Sequence, residues 1–481
     1  MPDAAIPFPV TSAPGAHVHD SAGRLINCYA EPLVNGARAQ NAWRRAAGLQ
    51  SFSVALFDGW RGGMVVGSLL YAAFAESGGH ATYFDAHGTE TIIGSLGGEK
   101  KVFWAQNNRV PPDVVVVAPD VGAFVAAGTP AILPYPDTDV GSPNSVCFLD
   151  GYFFFTYGDG VCIASGINST SINPLDFITV HGNPGGLLRA VPFGELYLFG
   201  SNTIEPWQNT AQPVAFPFSR VKVIPRGLIG RYALTGWEPG FGKGLIFVGD
   251  DKIVYILDGY NPVKISTPDV DRAVAKFISD GGSPEDIEMF PYVATGHSFV
   301  VLNTPTFSWT FDLDNARWHE RQSYLMTHWR AFGSVNAFGK WLAGDDSSSN
   351  ILQITDTVQT ELLQPIPFDI YSGPVTAFPN RLRVSQTTID IARGVGQVTG
   401  IKPIQTDPTC LIYWSDDGGM SWSEPVIRIL GRQVESHYPV RVNRVGQTKD
   451  QGRRYRIVVY DPVQVELTGG KMDAEIRNYN G

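Results

Sequence analysis

Charge, cysteine and uninterrupted apolar stretches are all scarce in this sequence. Only 17% of its 481 residues are charged, against about 25% in ordinary soluble chains, which disfavours helical bundles and coiled coils. Four cysteines, Cys28, Cys147, Cys162 and Cys410, show no CxxC spacing and are too sparse for a disulfide scaffold. They are expected to be reduced and buried. The most apolar stretch, Val114 to Pro134, is broken by Pro119, Asp120 and Pro130, so no segment approaches the ~20 clean apolar residues of a membrane span. The first residues, MPDAAIPFPV, carry neither a basic nor an apolar leader region and do not read as a secretory signal.

Glycine and proline are plentiful, at 52 and 34 residues. Glycine supplies positive φ and proline pre-sets a turn, so short strands joined by tight turns are expected. Residues 1–50 are Pro- and Ala-rich, include Arg44 and Arg45, and read as an extended arm that packs on a neighbouring subunit for want of its own core. From 51 to 362, short β-branched and aromatic runs alternate with Gly/Asp/Asn turns. Asp150-Gly151 between VCFL and YFFFTY suits a type I′ hairpin. LIFVG and KIVYIL flank Asp250-Asp251 in the same way.

An apolar strand closing on aspartate recurs at Asp85, Asp258, Asp312 and Asp356. The last two intervals are 54 and 44 residues, the size of a four-stranded propeller blade. The fold class expected is all-β: a β-propeller of about seven blades over 51–362, then a C-terminal β-sandwich over 363–481, where polar and apolar residues alternate as in strands with one solvated face. Asp269 to Asp280, with Val270, Val274, Phe277 and Ile278 at helical spacing after Thr267-Pro268, predicts one helix.

No catalytic constellation is complete. Gly240-Phe241-Gly242-Lys243-Gly244 fails as a phosphate loop, because the pattern needs Gly where Trp237 stands and Ser or Thr where Gly244 stands. His17, His19 and Asp20 lack further ligands nearby, and Asp312-Leu313-Asp314-Asn315 lacks the glycine and distal glutamate of a calcium loop. There is no GxSxG. Glu205 and Asp251 are read as turn carboxylates. Neither catalytic nor metal residues, nor any cofactor or small-molecule substrate, are expected. Ser415-Asp416-Asp417-Gly418-Gly419-Met420-Ser421-Trp422 fits the S-x-D-x-G-x-[ST]-W pattern, in which Ser415, Asp417, Gly419, Ser421 and Trp422 form a structural turn. Arg441, Arg444, Lys449, Arg453, Arg454 and Arg456 give six cations against one anion, Asp450, in 16 residues, leaving −15 on the rest of the chain. Such a segment can dock on DNA phosphates or on an acidic protein.

Three stretches together resemble a family, the tail-hub or nozzle proteins of short-tailed phages, also called packaged-DNA stabilisation proteins. They are Leu25-Ile26-Asn27-Cys28-Tyr29-Ala30-Glu31-Pro32 with Ala47-Gly48-Leu49, where Ala47 replaces the family's proline; Leu198-Phe199-Gly200-Ser201-Asn202-Thr203-Ile204-Glu205-Pro206-Trp207; and the closing run from Tyr455 to Gly469. The positions that carry the likeness are Asn27, Tyr29, Gly48, Gly200, Ser201, Thr203 and Glu205. The resemblance implies a structural protein of the virion tail, made in the cytoplasm of the host bacterium. It also implies a homo-oligomer, a hexameric ring below the head-to-tail connector, that contacts adaptor proteins and tail fibre, spike or needle proteins. Genomic double-stranded DNA would be retained by that ring and pass through it on ejection, and an acidic lumen would let it slide. An alternative, a carbohydrate-binding or glycosidase-type propeller acting on host surface polysaccharide, rests on the Asp-box and on 11 Trp and 18 Tyr that could stack on sugars.

Overall fold

A computed structural model describes the chain apart from residues 1–2, 35–36, 38, 128–130, 181–185, 212–215, 400–401, 434, 436–438 and 478–481. Among the described residues, seven four-stranded antiparallel units follow one another along the chain. Their innermost strands are Trp60–Val66, Phe103–Gln106, Ser145–Leu149, Leu187–Phe193, Leu234–Thr235, Glu288–Ala294 and Ala331–Ala337. The first and last of these strands pack together, closing a seven-bladed propeller.

The strand-Asp repeat is the blade repeat itself. His80–Phe84, Val254–Asp258, Ser308–Asp312 and Asn350–Thr355 are the third strands of blades 1, 5, 6 and 7. Asp85 shows why the residue recurs there: its side chain accepts hydrogen bonds from the backbone N–H of His87 (2.8 Å) and Thr89 (2.9 Å), closing the turn to the fourth strand. Asp150 and Gly151 both adopt positive φ, at 51° and 95°, the conformation a type I′ turn demands. The Asp250-Asp251 turn is longer than two residues, with Lys252 at φ 70°. The expected helix is present as Pro268–Ser279, and its Val270 and Val274 enter the largest apolar core. All four cysteines are free and buried.

The arm expected at residues 1–50 is corrected by its pairing. Asp3–Ala5 pairs with Glu466–Arg477, as does Asn41–Arg45, which also pairs with Cys28–Pro32. Arg24–Ile26 lies between Arg317–Glu320 of blade 6 and Phe368–Tyr371. Ile6, Phe8, Leu25, Cys28, Ala30 and Trp43 share one core with Ile370, Ile412, Ile457 and Met472. These apolar residues lack a local core and obtain one from the opposite end of the same chain. The remaining strands complete two sheets over that core. One holds Arg381–Ile391, Arg441–Gln447 and Glu466–Arg477. The other runs Phe368–Tyr371, Arg454–Val459, Thr409–Ser415, Val426–Ile429 and is continuous with blade 6 through Arg24–Ile26.

The seventh blade takes its outer strand from before the first: Gly48–Val54 pairs with Asn350–Thr355. Gly48 is required there, since a Cβ would lie 2.4 Å from the Val358 carbonyl oxygen and 2.7 Å from that of Thr360. Gly48→Val should therefore destabilise the chain by about 1–3 kcal/mol, read as a lower denaturation midpoint at unchanged slope. An unchanged midpoint would contradict this closure.

Candidate functional site: the propeller axis and the basic segment

All seven innermost strands border the axis, where a half-open cavity of about 450 Å³ lies. Residues of blade 2 cross it. Phe103 stacks on Tyr232 before blade 5 with ring centroids 5.6 Å apart. The guanidinium carbon of Arg189, from blade 4, lies 4.8 Å from the Phe103 ring centroid and 4.6 Å from that of Trp237, a planar cation held between two π faces. Its Nη1 donates to the carbonyl oxygens of Arg231 (3.2 Å) and Leu234 (3.4 Å). Desolvation at the axis pulls this guanidinium down to about 10. Lys101 pairs with Glu288 of blade 6 at 2.5 Å and stands 5.1 Å over Phe332 of blade 7. These contacts tie blades 2, 4, 5, 6 and 7 together and narrow the axis. No sequence signal reveals them, because the partners are scattered over more than 200 positions and meet only when the ring closes.

The residues that carry the family likeness separate into two places. Asn27, Tyr29 and Gly48 gather where the N-terminal strands meet blades 6 and 7. Asn27, at φ 54°, accepts from Gln322 N–H (2.9 Å) and donates to Gln322 C=O (2.8 Å), mimicking a strand partner. Tyr29 bonds Thr295 (3.0 Å) and packs edge-on against Phe299. Beside them Arg321, fully buried, donates to the Ala47 carbonyl (2.9 Å) and pairs with buried Glu361 at 3.4 Å. Glu361 also accepts from Trp329 Nε1 (2.8 Å) and Ser323 Oγ (2.6 Å). The second place is blade 4: Gly200 N–H donates to Thr203 C=O (2.9 Å) across the turn, and the Ser201 carbonyl presses on Gly227, where a Cβ would lie 2.0 Å away. Glu205 is not a turn carboxylate. It is buried in the strand Ile204–Asn209, accepting from Trp207 Nε1 (3.2 Å) and pairing with Arg220 at 3.3 Å.

The basic segment does not form one patch. Arg453 is buried and makes two 2.8 Å hydrogen bonds to Asp416. Arg454 is buried and donates to the His19 carbonyl (3.2 Å). Arg456 forks onto Asp369 at 3.0 and 2.6 Å, with its guanidinium 4.9 Å from the Tyr371 ring. Internal partners take up all three: Asp416 for Arg453, the His19 carbonyl for Arg454 and Asp369 for Arg456, none of which a charge count registers. Arg441, Arg444 and Lys449 are exposed.

In the Asp-box turn, Ser415 Oγ donates to Asp417 (2.7 Å) and accepts from Gly419 N–H (2.8 Å). Ser421 donates to Asp417 through its N–H (2.9 Å) and its hydroxyl, and these bonds hold the Asp417 carboxyl well below its ordinary range. Trp422 meets Tyr371 edge-on at 5.4 Å. The turn joins Thr409–Ser415 to Val426–Ile429, outside the propeller.

One further group brings ligand-type atoms within 4.8 Å of one another: His297, Asp312 and Asp314. Each has protein partners. His297 Nδ1 lies 3.0 Å from Asp312, and Asp314 accepts from Ser298 N–H (2.6 Å). The Asp312 bond raises the His297 imidazole above its ordinary value, so the stability it contributes is present below about pH 6.5 and fades as pH rises through the raised value. His319, behind the same Tyr29 and Phe299 rings, is the opposite case. Burial, then the Arg321 cation, pushes it down to about 3, and its Nε2 has no partner.

A protein family described as "Bacteriophage P22 Gp10, beta-propeller" matches residues 25–359. Among solved structures, the WD40 β-propeller domain of Doa1 is similar at 11% identity, over 64% of this chain and 96% of that one, with a TM-score of 0.41. No curated protein matches.

Two outcomes are expected. Arg453→Ala should cost about 2 kcal/mol in denaturant titrations, because it removes a buried side chain with its two charge-assisted hydrogen bonds to Asp416, while Arg441→Ala stays within about 0.5 kcal/mol; equal effects would contradict the burial. Below about pH 6.5 the unfolded chain protonates the His319 imidazole and the folded chain resists until about pH 3, so stability falls as pH drops across that interval. His319→Phe should flatten that acid limb, and an unaltered limb would show that His319 does not cause it.

Proposed function

Since the chain belongs to the bacteriophage P22 Gp10 β-propeller family, whose members are structural virion proteins and not enzymes, we propose that it is a hub or nozzle component of the tail. In this reading several copies, a hexamer in the simplest case, form a ring below the head-to-tail connector. The ring retains packaged DNA and supplies the path for its ejection, with connector, fibre, spike or needle proteins docking on it. The chain divides into a propeller and a β-sandwich assembled from both chain ends, with the N-terminal strands as the stitch between them.

The observation that carries the reading furthest is the closed axis. A cavity of about 450 Å³ crossed by the Phe103–Tyr232 and Arg189–Trp237 stacks has no room for a duplex whose major groove alone is about 12 Å wide. The DNA path therefore runs between copies of the chain, bordered by outer surfaces of the propellers. Those surfaces carry more acid than base: among the described residues of 51–362, 15 exposed Asp and Glu stand against 8 exposed Lys and Arg. Repulsion between such a wall and the phosphates keeps the duplex from sticking during ejection.

Quantitative mass spectrometry of purified phage particles should find this chain at about six copies per particle, and particles assembled without it should package DNA and then lose it. Absence from particles, or full DNA retention without it, would overturn the proposal.

A further inference from the structure

Arg189 stands on the axial cavity as a cation without a counter-ion. Two ring faces and two carbonyl oxygens surround it; they replace water but cancel no charge. Its Nε and Nη2 make no hydrogen bond among the described residues, and the side chain is only half-buried, so that edge of the guanidinium stays open. The acids that act on it, Glu238 and Glu288, do so through space. Glu238 accepts instead from the Thr235 hydroxyl (2.7 Å) and the Gly236 N–H (2.6 Å), and burial pushes its carboxyl above the ordinary range. Glu288 is taken by Lys101.

A second guanidinium in the lining also lacks a carboxylate. Arg61 is buried, donates to the carbonyls of Lys100 (2.5 Å) and Gly97 (2.9 Å), and leaves Nη2 without a protein partner. Three cations, Arg61, Lys101 and Arg189, thus border the cavity against two carboxylates, inside a chain of net −10. An unmatched charge held out of water is costly, and an anion entering from the open side supplies the missing sign. The space suits more than an inorganic ion: about 450 Å³ lies within the range of organic-ligand pockets, about 300–1,000 Å³. Its lining includes Phe148, Tyr232, Trp237 and Phe290, aromatic surface of the kind that packs against the C–H face of a sugar ring.

We propose that the axial cavity binds a small organic anion, a sugar-sized body bearing one carboxylate or phosphate, whose charged group pairs with the open edge of the Arg189 guanidinium. A planar guanidinium fork matches either oxyanion. Phe103 and Trp237 hold that fork in place from both sides, so little ordering is left to the binding step. Lys101 adds charge at the same cavity, and the aromatic lining takes the body of the ligand. Sugar acids and sugar phosphates share this chemistry. The inference stands on the axis alone: it does not depend on the tail reading, and it leaves the DNA path outside the propeller.

The test is titration calorimetry of the full-length chain at fixed ionic strength with glucuronate, glucose 6-phosphate, neutral glucose, acetate and inorganic phosphate. At least one of the two charged sugars should bind with Kd of about 1 mM or below, and at least tenfold tighter than glucose, acetate or phosphate. Arg189→Gln should weaken that binding at least tenfold. Because Arg189 also joins blades, Glu288→Gln supplies a test that leaves it in place. Removing the carboxylate beside Lys101 raises the positive charge of the cavity and should tighten binding at least threefold, a change that a purely structural arginine does not produce. Failure of both charged sugars to bind overturns the proposal. Equal binding of glucose overturns the charge requirement, and equal binding of acetate or phosphate overturns the sugar-sized body, leaving an adventitious ion only. Binding unchanged in a folded Arg189→Gln or in Glu288→Gln places the ligand elsewhere and also overturns it.

Discussion

A ring of blades has two chain ends that must be joined, and the way this chain joins them determines the rest of its architecture. Gly48–Val54 closes blade 7 from the N-terminal side, so the residues before it must leave from the rim of the ring. They run along blade 6, where Asn27 copies a strand partner and Arg24 forks onto Glu320. The same residues then enter the core shared with the C-terminal strands. A single sheet consequently extends from the innermost strand of blade 6 to Val426–Ile429. Main-chain hydrogen bonds along that sheet, together with the buried Arg321–Glu361 pair beside the seam, tie the two parts of the chain together.

The axis follows the same logic at smaller scale. Seven inner strands leave a gap, and here side chains narrow it to a cavity of about 450 Å³. Arg189 could not stand there as a bare cation without a large desolvation cost; two aromatic faces and two carbonyl oxygens replace its water. A propeller narrowed in this way at its axis presents its outer faces as its usable surface. In the proposed reading this is the form of a building unit in a tail, with the path for DNA outside the propeller.

Much of the fold was legible because it is local. The strand-Asp pattern recurs at blade spacing because it ends the third strand of blades 1, 5, 6 and 7, and Asp150-Gly151 states its own conformation. The helix at Pro268–Ser279 was visible from apolar spacing and its leading Thr267-Pro268. What sequence could not register is distance along the chain. Ile6, Phe8, Leu25 and Trp43 looked like an arm without a core because their core partners lie more than 300 residues away. Arg453 and Arg454 looked like a surface patch because a charge count ignores which way a strand faces, and Asp416 and the His19 carbonyl are not neighbours in sequence. The axis residues Phe103, Arg189, Tyr232 and Trp237 belong to three blades and share no motif.

The central claim, that the duplex passes along the outer surfaces of several copies and never through a propeller, is tested most directly by zero-length ultraviolet cross-linking of DNA-filled particles, followed by peptide mass spectrometry. The account predicts DNA adducts on exposed outer residues of this chain and none on Phe103, Arg189, Tyr232 or Trp237. Adducts concentrated on those four axis residues would contradict it.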